Sequence, residues 1–213
     1  MPQLRVRSEC SFREAFGTVE QTAQVIADLG VKTAGLVDTG GTWGHVRWEK
    51  ALKSAGVQPA FGTEFCIPTE AKAKPRCWVL AEDIAAFYRL SSSKPTTEAE
   101  LAAAKGVIRF AGAALTDPEA FDYIDLNPRS LRQSKHALDL HRSTGKPLVL
   151  TSDCDYPSAA QLPEYLAWVD GRKMTPQTIL RDDELRQAFW FLDDATFHAA
   201  RLNTFEVGER LQG

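Results

Sequence analysis

The chain has 213 residues, with 25 lysines and arginines against 28 aspartates and glutamates, for a formal charge of −3. A chain of this length buries about 70% of its unfolded surface, so one domain folds without needing disulfides or a structural metal. The small negative charge gives no overall footprint for nucleic acid, so direct binding to DNA is expected to be weak or absent and any contact would have to come from a local basic patch.

The four cysteines (Cys10, Cys66, Cys77, Cys154) form no Cys-x-x-Cys pair, which excludes zinc-ribbon spacing and gives little support to a disulfide framework. No apolar run approaches a membrane span, and the amino terminus lacks a signal-peptide core, so cytoplasm is the expected compartment.

Gln3 to Val6 reads as a first strand. Val19 to Leu29 carries apolar residues at helical spacing and is closed by Gly30. Thr33 to Val37 is a second strand, Gly44 to Ala55 a helix stopped by Gly56, and Gln58 to Phe65 a third strand. This alternation is the grammar of a parallel sheet or barrel. Thr69 to Pro75 reads as a polar loop, Cys77 to Ala81 as a strand and Glu82 to Leu90 as a helix. Ser91-Ser92-Ser93-Lys94-Pro95 is a local break, too short for a domain boundary. Thr97 to Lys105 opens with a Thr-x-x-Glu capping box. Gly106 to Phe110 and Tyr123 to Leu126 are strands, Ser130 to Thr144 is a helix ended by Gly145, and Pro147 to Thr151 is an apolar strand. From Ala159 onward the chain reads as mostly helical.

Several of these strands end in small or charged residues. Leu4-Arg5-Val6-Arg7-Ser8, Leu36-Val37-Asp38-Thr39-Gly40, Phe61-Gly62-Thr63-Glu64 and Thr151-Ser152-Asp153-Cys154-Asp155-Tyr156 each run from strand to polar turn. In an α/β chain such ends converge on one face and build the site.

The series resembles the PHP (polymerase and histidinol phosphatase) domain at the amino terminus of the bacterial DNA polymerase III alpha subunit. That family reads His-x-His-Ser, Thr-Asp-His-Gly, Gly-x-Glu and Asn-Asp-x-His-Tyr at these places. Arg76-Cys77-Trp78-Val79-Leu80-Ala81, Gly145 to Thr151 and Ala200 to Val207 are similar to three further family segments. The resemblance covers nearly the whole chain and implies a single α/β domain over residues 1–213, a distorted (β/α)7-type barrel.

Intact sites of the family hold up to three Zn, Mn or Fe type ions on histidines and carboxylates. Here Arg5 and Arg7 stand at the His-x-His pair, Thr39 replaces the histidine after Asp38, and Glu64 keeps the glutamate. Arg76 falls where a further histidine is expected, and Ala113 where a cysteine or histidine sits. Asp153 is kept, Asp155 replaces the last histidine, and Glu14 matches an acidic ligand loosely. The carboxylates survive and the imidazoles do not. A guanidinium keeps its proton and has no lone pair for a metal. The expected arrangement is a metal-free site in which Arg5, Arg7 and Arg76 pair with Glu64, Asp153 and Asp155.

The four histidines (His45, His136, His141, His198) fall in helices away from the strand ends, so no nucleophilic triad is expected. Ser8 and Ser152 are read as turn supports, and the cysteines near the motifs as small apolar residues. Trp43, Trp48, Trp78 and Trp168 are expected to pack in or against the barrel wall. Leu185 to Leu192 reads as a packed helix, despite a faint likeness of Gln187 to Phe191 to sliding-clamp peptides.

Two functions follow from the resemblance. In the first, the chain is a freestanding, catalytically inactive protein of DNA replication, with no cofactor, that binds a DNA polymerase or another replisome component. Its size then suggests a phage or mobile-element protein, or half of a split polymerase. In the second, Asp38, Glu64, Asp153 and Asp155 form an all-oxygen Mg or Mn site of a divergent phosphoesterase or 3′-5′ exonuclease, and the arginines bind substrate phosphate.

Overall fold

Strands and helices alternate along the computed structural model, which describes residues 1–12, 14–68, 75–112, 114–115, 117–169 and 177–211. The first half runs β1 (Gln3–Val6), α1 (Val19–Asp28), β2 (Thr33–Thr39), α2 (His45–Ser54), β3 (Gln58–Cys66), β4 (Arg76–Ala81), α3 (Ile84–Ser93) and α4 (Glu98–Ala102). The second half runs β5 (Val107–Ala111), β6 (Tyr123–Leu126), α5 (Leu131–Thr144), β7 (Leu148–Leu150), α6 (Leu162–Trp168), α7 (Asp182–Ala188) and α8 (Asp194–Arg210).

Local chemistry explains the helix ends. Thr18 accepts from the Gln21 amide, while the Gln21 side chain answers the Thr18 amide, so α1 starts on a complete capping box. Its buried residues Val19, Thr22, Ala23 and Ile26 then repeat at helical spacing. Gly145 takes the left-handed conformation (φ 70°) that ends α5. Ser91 to Ser93 belong to α3 and do not break it, because the helix continues until Lys94 turns left-handed in front of Pro95. The helix expected over Thr97 to Lys105 shrinks to α4 behind its Thr97 cap.

The seven strands form one sheet in sequence order. Four neighbouring pairs are parallel, but β4 runs antiparallel to both β3 and β5. Residues 67–75 are too few for a crossover, which takes about a dozen residues or more, so β4 returns beside β3 in the opposite sense. The strand-helix alternation of the first three strands gives the parallel pairing expected from it, and the short connection reverses β4. Gly62 permits the close β3–β4 approach, since a Cβ there would lie 2.3 Å from the Val79 carbonyl oxygen.

The sheet curls into an α/β half-barrel, as the family resemblance implies. Val6 makes an isolated parallel bridge to Cys154, beyond β7. Adjacent residues divide between the two faces as the period of two requires. Leu36 packs outward with Val19, Ile26, Trp48 and Leu52, whereas Val37 packs inward with Leu4, Trp78, Leu80 and Phe110. Val79 joins a third cluster with Phe87, Leu101, Ile124 and Leu126. Val207 and Leu211, at the end of α8, join the inner cluster.

The tryptophans divide. Trp48 and Trp78 are fully buried, but Trp43 is 83% exposed and Trp168 is 38% exposed, against the packing expected from sequence. Trp43 sits between β2 and α2 among Gly40, Gly41 and Gly44, which carry no side chains to cover it. Trp168 ends α6 and makes an edge contact with exposed Phe12, at 5.7 Å between ring centres. The segment Leu185 to Leu192 buries Leu185, Phe189 and Leu192, but its helix ends at Ala188 and Trp190 faces solvent. No helix among the described residues is long and apolar enough to cross a membrane.

Candidate functional site: an arginine–carboxylate cluster at the strand ends

Arg5 and Arg7 lie two residues apart in and just after β1, so their side chains share the inner face while Val6 packs outward. Glu64 and Asp125 enter the same interior from β3 and β6, and Asp153 and Asp155 from the turn after β7. All six are buried, which is rare for ionised side chains unless they are paired.

They are paired. Arg5 donates to Glu64 Oε2 through Nη2 and to Asp125 Oδ2 through Nη1 at 2.6 Å, and Nη1 also stands 3.2 Å from Asp153 Oδ1. Arg7 donates to the same Glu64 oxygen at 3.2 Å. Its Nη1 lies 3.7 Å from Glu14, 3.9 Å from Asp153 and 3.9 Å from Asp155. Arg76 reaches Glu64 Oε1 at 2.5 Å, because antiparallel β4 starts where β3 ends. Glu64 thus accepts from three guanidiniums at once.

Sequence reasoning missed several members. Arg129, just past β6, binds Asp155 and lies 2.9 Å from Asp153. Asp125 also accepts from the Thr151 hydroxyl and from Trp78 Nε1 at 3.0 Å. Asn127 donates to Asp153 at 3.1 Å, and the Gln177 backbone amide to Asp155 at 3.0 Å. The available signal was a lone carboxylate inside the apolar strand Tyr123-Ile124-Asp125-Leu126, followed two positions after Asn127 by an arginine.

Asp38 stands apart. The Ser8 amide and hydroxyl and the Ser11 hydroxyl occupy it at 2.8, 2.8 and 2.7 Å, so it fixes the β1 turn and, among the described residues, forms no ion pair. Ser8 therefore supports the turn, as expected from sequence. Thr39 donates to Glu14 at 2.6 Å, orienting that carboxylate toward Arg7. Ala113 lies outside the described residues, as does most of the loop expected over Thr69 to Pro75. Among the described residues, no histidine joins the cluster. His45 instead sits buried at the start of α2, within 3.0 Å of the Gly62 carbonyl oxygen and 3.2 Å of the Tyr88 hydroxyl.

Burial would raise the carboxyl pKa of Glu64, but Arg5, Arg7 and Arg76 overrule it and hold the group down at about 2. Burial also opposes Asp153, and four arginines bring it to about 2. For Asp125 and Asp155 burial wins, leaving both above the ordinary range despite Arg5 and Arg129 respectively. Burial disfavours the charged forms of Arg5 and Arg7, yet the surrounding carboxylates raise both above the usual arginine range.

This donor set does not fit a metal ion. Guanidiniums already hold the carboxylates, and they offer no lone pair. Among the described residues, no group of three or more His, Cys, Asp or Glu side chains is arranged to hold one. Each of these carboxylates accepts from a guanidinium or lies within about 4 Å of one.

A half-barrel with its polar cluster at the strand ends defines the class of molecule. The PHP domain family model matches residues 3–138, and the chain belongs to that family. Among solved structures, it is similar to a candidate metal-dependent phosphoesterase from Bifidobacterium adolescentis (TM-score 0.55, 12% identity, covering 91% of this chain and 97% of that one). It is also similar to PsfC from Pseudomonas syringae (TM-score 0.54, 12% identity, 72% and 75% covered). An amidohydrolase from Chromobacterium violaceum, with bound sulfate and no metal, gives a TM-score of 0.51 at 10% identity, with 75% and 88% covered. At these identities the likeness is one of fold. No curated protein matches the chain.

Proposed function

We propose that the chain is a non-hydrolytic PHP domain that acts as a partner-binding scaffold for a DNA polymerase or another replisome component. One observation carries the first half: the guanidiniums of Arg5 and Arg7 sit between Glu64, Asp125 and Asp153, where a metal-dependent hydrolase needs lone pairs. A hydrolase must activate water, and a carboxylate locked to a guanidinium is a poor proton acceptor. The replication context rests on the order of the four strand-end motifs, which follows the polymerase-type domain.

The test is elemental analysis of the purified protein together with Mn²⁺-supplemented hydrolysis of single-stranded DNA and of a phosphate monoester. Substoichiometric metal, no turnover and co-purification with the replicative polymerase of the same cell support the scaffold. Bound metal with hydrolysis abolished by Asp153→Ala would replace it with the all-oxygen Mg or Mn phosphoesterase or exonuclease.

A further inference from the structure

We infer that Arg5 and Arg7 do the structural work of a metal centre: they are the internal cations that close the barrel. The seam between β1 and the chain after β7 is weak in backbone terms. Among the described residues, one isolated bridge, Val6 to Cys154, spans it. The register of β1 against β2 also shifts between Gln3 and Val6, so the strand is irregular just where the barrel must close. Side chains supply what the ladder lacks. Arg5 ties β1 to Glu64 on β3, to Asp125 on β6 and to Asp153 beyond β7, and Arg7 reaches Glu64, Asp153 and Asp155.

A multivalent cation held by residues from several strands would join the same elements, and two adjacent guanidiniums with several donors each can do so without one. The charges agree. Among the described residues, Arg5, Arg7, Arg76 and Arg129 face Glu14, Glu64, Asp125, Asp153 and Asp155, four positive against five negative, so these groups are nearly balanced. Without Arg5 and Arg7, the same carboxylates would keep two cations among the described residues, Arg76 and Arg129. A buried site of that kind demands replacement positive charge.

The cluster therefore needs a cation, and this chain carries its own. This claim rests on the same residues as the non-hydrolytic reading but is separable from it. A wild type without hydrolysis, combined with a double variant indifferent to cations, would remove this inference alone.

The experiment compares wild type with Arg5→His/Arg7→His, by thermal denaturation in EDTA and in stoichiometric Mn²⁺ or Zn²⁺, with calorimetric titration of each metal. Wild type is expected to show the same Tm in EDTA and in metal, with no binding isotherm. The double variant is expected to lose at least about 5 °C in EDTA and to recover much of it on binding metal. A double variant as stable as wild type in EDTA, one without metal recovery, or a wild type stabilised by either metal would each overturn the inference. Should the double variant not fold under any condition, the unaltered protein decides. Separate, slowly exchanging Nη–H resonances from Arg5 and Arg7 that ignore EDTA would support the closure. One averaged, fast-exchanging signal per guanidinium would refute it.

Discussion

Glu64→Gln is the most informative single substitution, because Glu64 accepts hydrogen bonds from three arginines. Its Oε2 binds Arg5 and Arg7, and its Oε1 binds Arg76, at an exposure of 1%. Glutamine keeps the shape but removes the charge, and it turns an NH₂ donor toward guanidinium donors. Two routes give the cost. Leaving buried charges without their partner costs about 3–5 kcal/mol. Separately, holding Glu64 at about 2 instead of 4.5 corresponds to about 3 kcal/mol at neutral pH. The two agree, and for a domain of this size they correspond to a fall in Tm of about 6–20 °C. Urea and thermal unfolding followed by circular dichroism at pH 7 measure it. Glu20→Gln is the control, because its pairing with Arg47 is solvent-exposed and worth about 1 kcal/mol at most. A loss below about 1 kcal/mol for Glu64→Gln, matching the control, would refute the idea that the cluster holds the strand ends together.

Acid titration should separate the carboxylates. Glu64 and Asp153, depressed to about 2 from 4.5 and 3.8, stabilise the fold above those ordinary values and lose that contribution as pH falls toward about 2. Asp125 and Asp155, raised by burial, act in the opposite sense, gaining stability as pH falls through their raised values and delaying the decline. Urea midpoints between about pH 5 and 2.5 should therefore fall less steeply in Glu64→Gln than in wild type; equal slopes would contradict the assignment. Gly62→Ala should destabilise by about 2 kcal/mol or more, since its new Cβ would lie 2.3 Å from the Val79 carbonyl oxygen in a neighbouring strand, and unchanged urea unfolding would show that β3 and β4 are not so closely apposed. Trp43→Ala, at 83% exposure, should change stability by no more than about 0.5 kcal/mol; a larger loss would mean that the ring packs after all.

The parts of this site that were legible in the sequence came from repetition. Four strands ending in similar polar turns marked Arg5, Arg7, Glu64, Asp153 and Asp155 together, and the period of two put Arg5 and Arg7 on one face. Asp125 was marked only as a lone aspartate in an apolar four-residue strand, a signal that names no partner, because only the curl of the sheet brings it to Arg5. Arg129 was hidden for the same reason, since its partners lie across the next turn. Asp38 shared the motif signature of the others, yet the serines of the β1 turn reach it first. The reversed β4 was implicit in a connection too short for a crossover. Exposure of Trp43 and Trp168 was not, because composition does not say whether a neighbouring segment arrives to cover a ring at a turn or a helix end.

The most direct measurement is a crystal structure of wild type grown with excess Mn²⁺ and recorded at a wavelength where manganese scatters anomalously. Guanidinium pairing predicts no anomalous peak at the strand ends, with Arg5 and Arg7 within hydrogen-bonding distance of Glu64, Asp125 or Asp153. A peak bridging Glu64 and Asp153, with the two arginines swung aside, would contradict it.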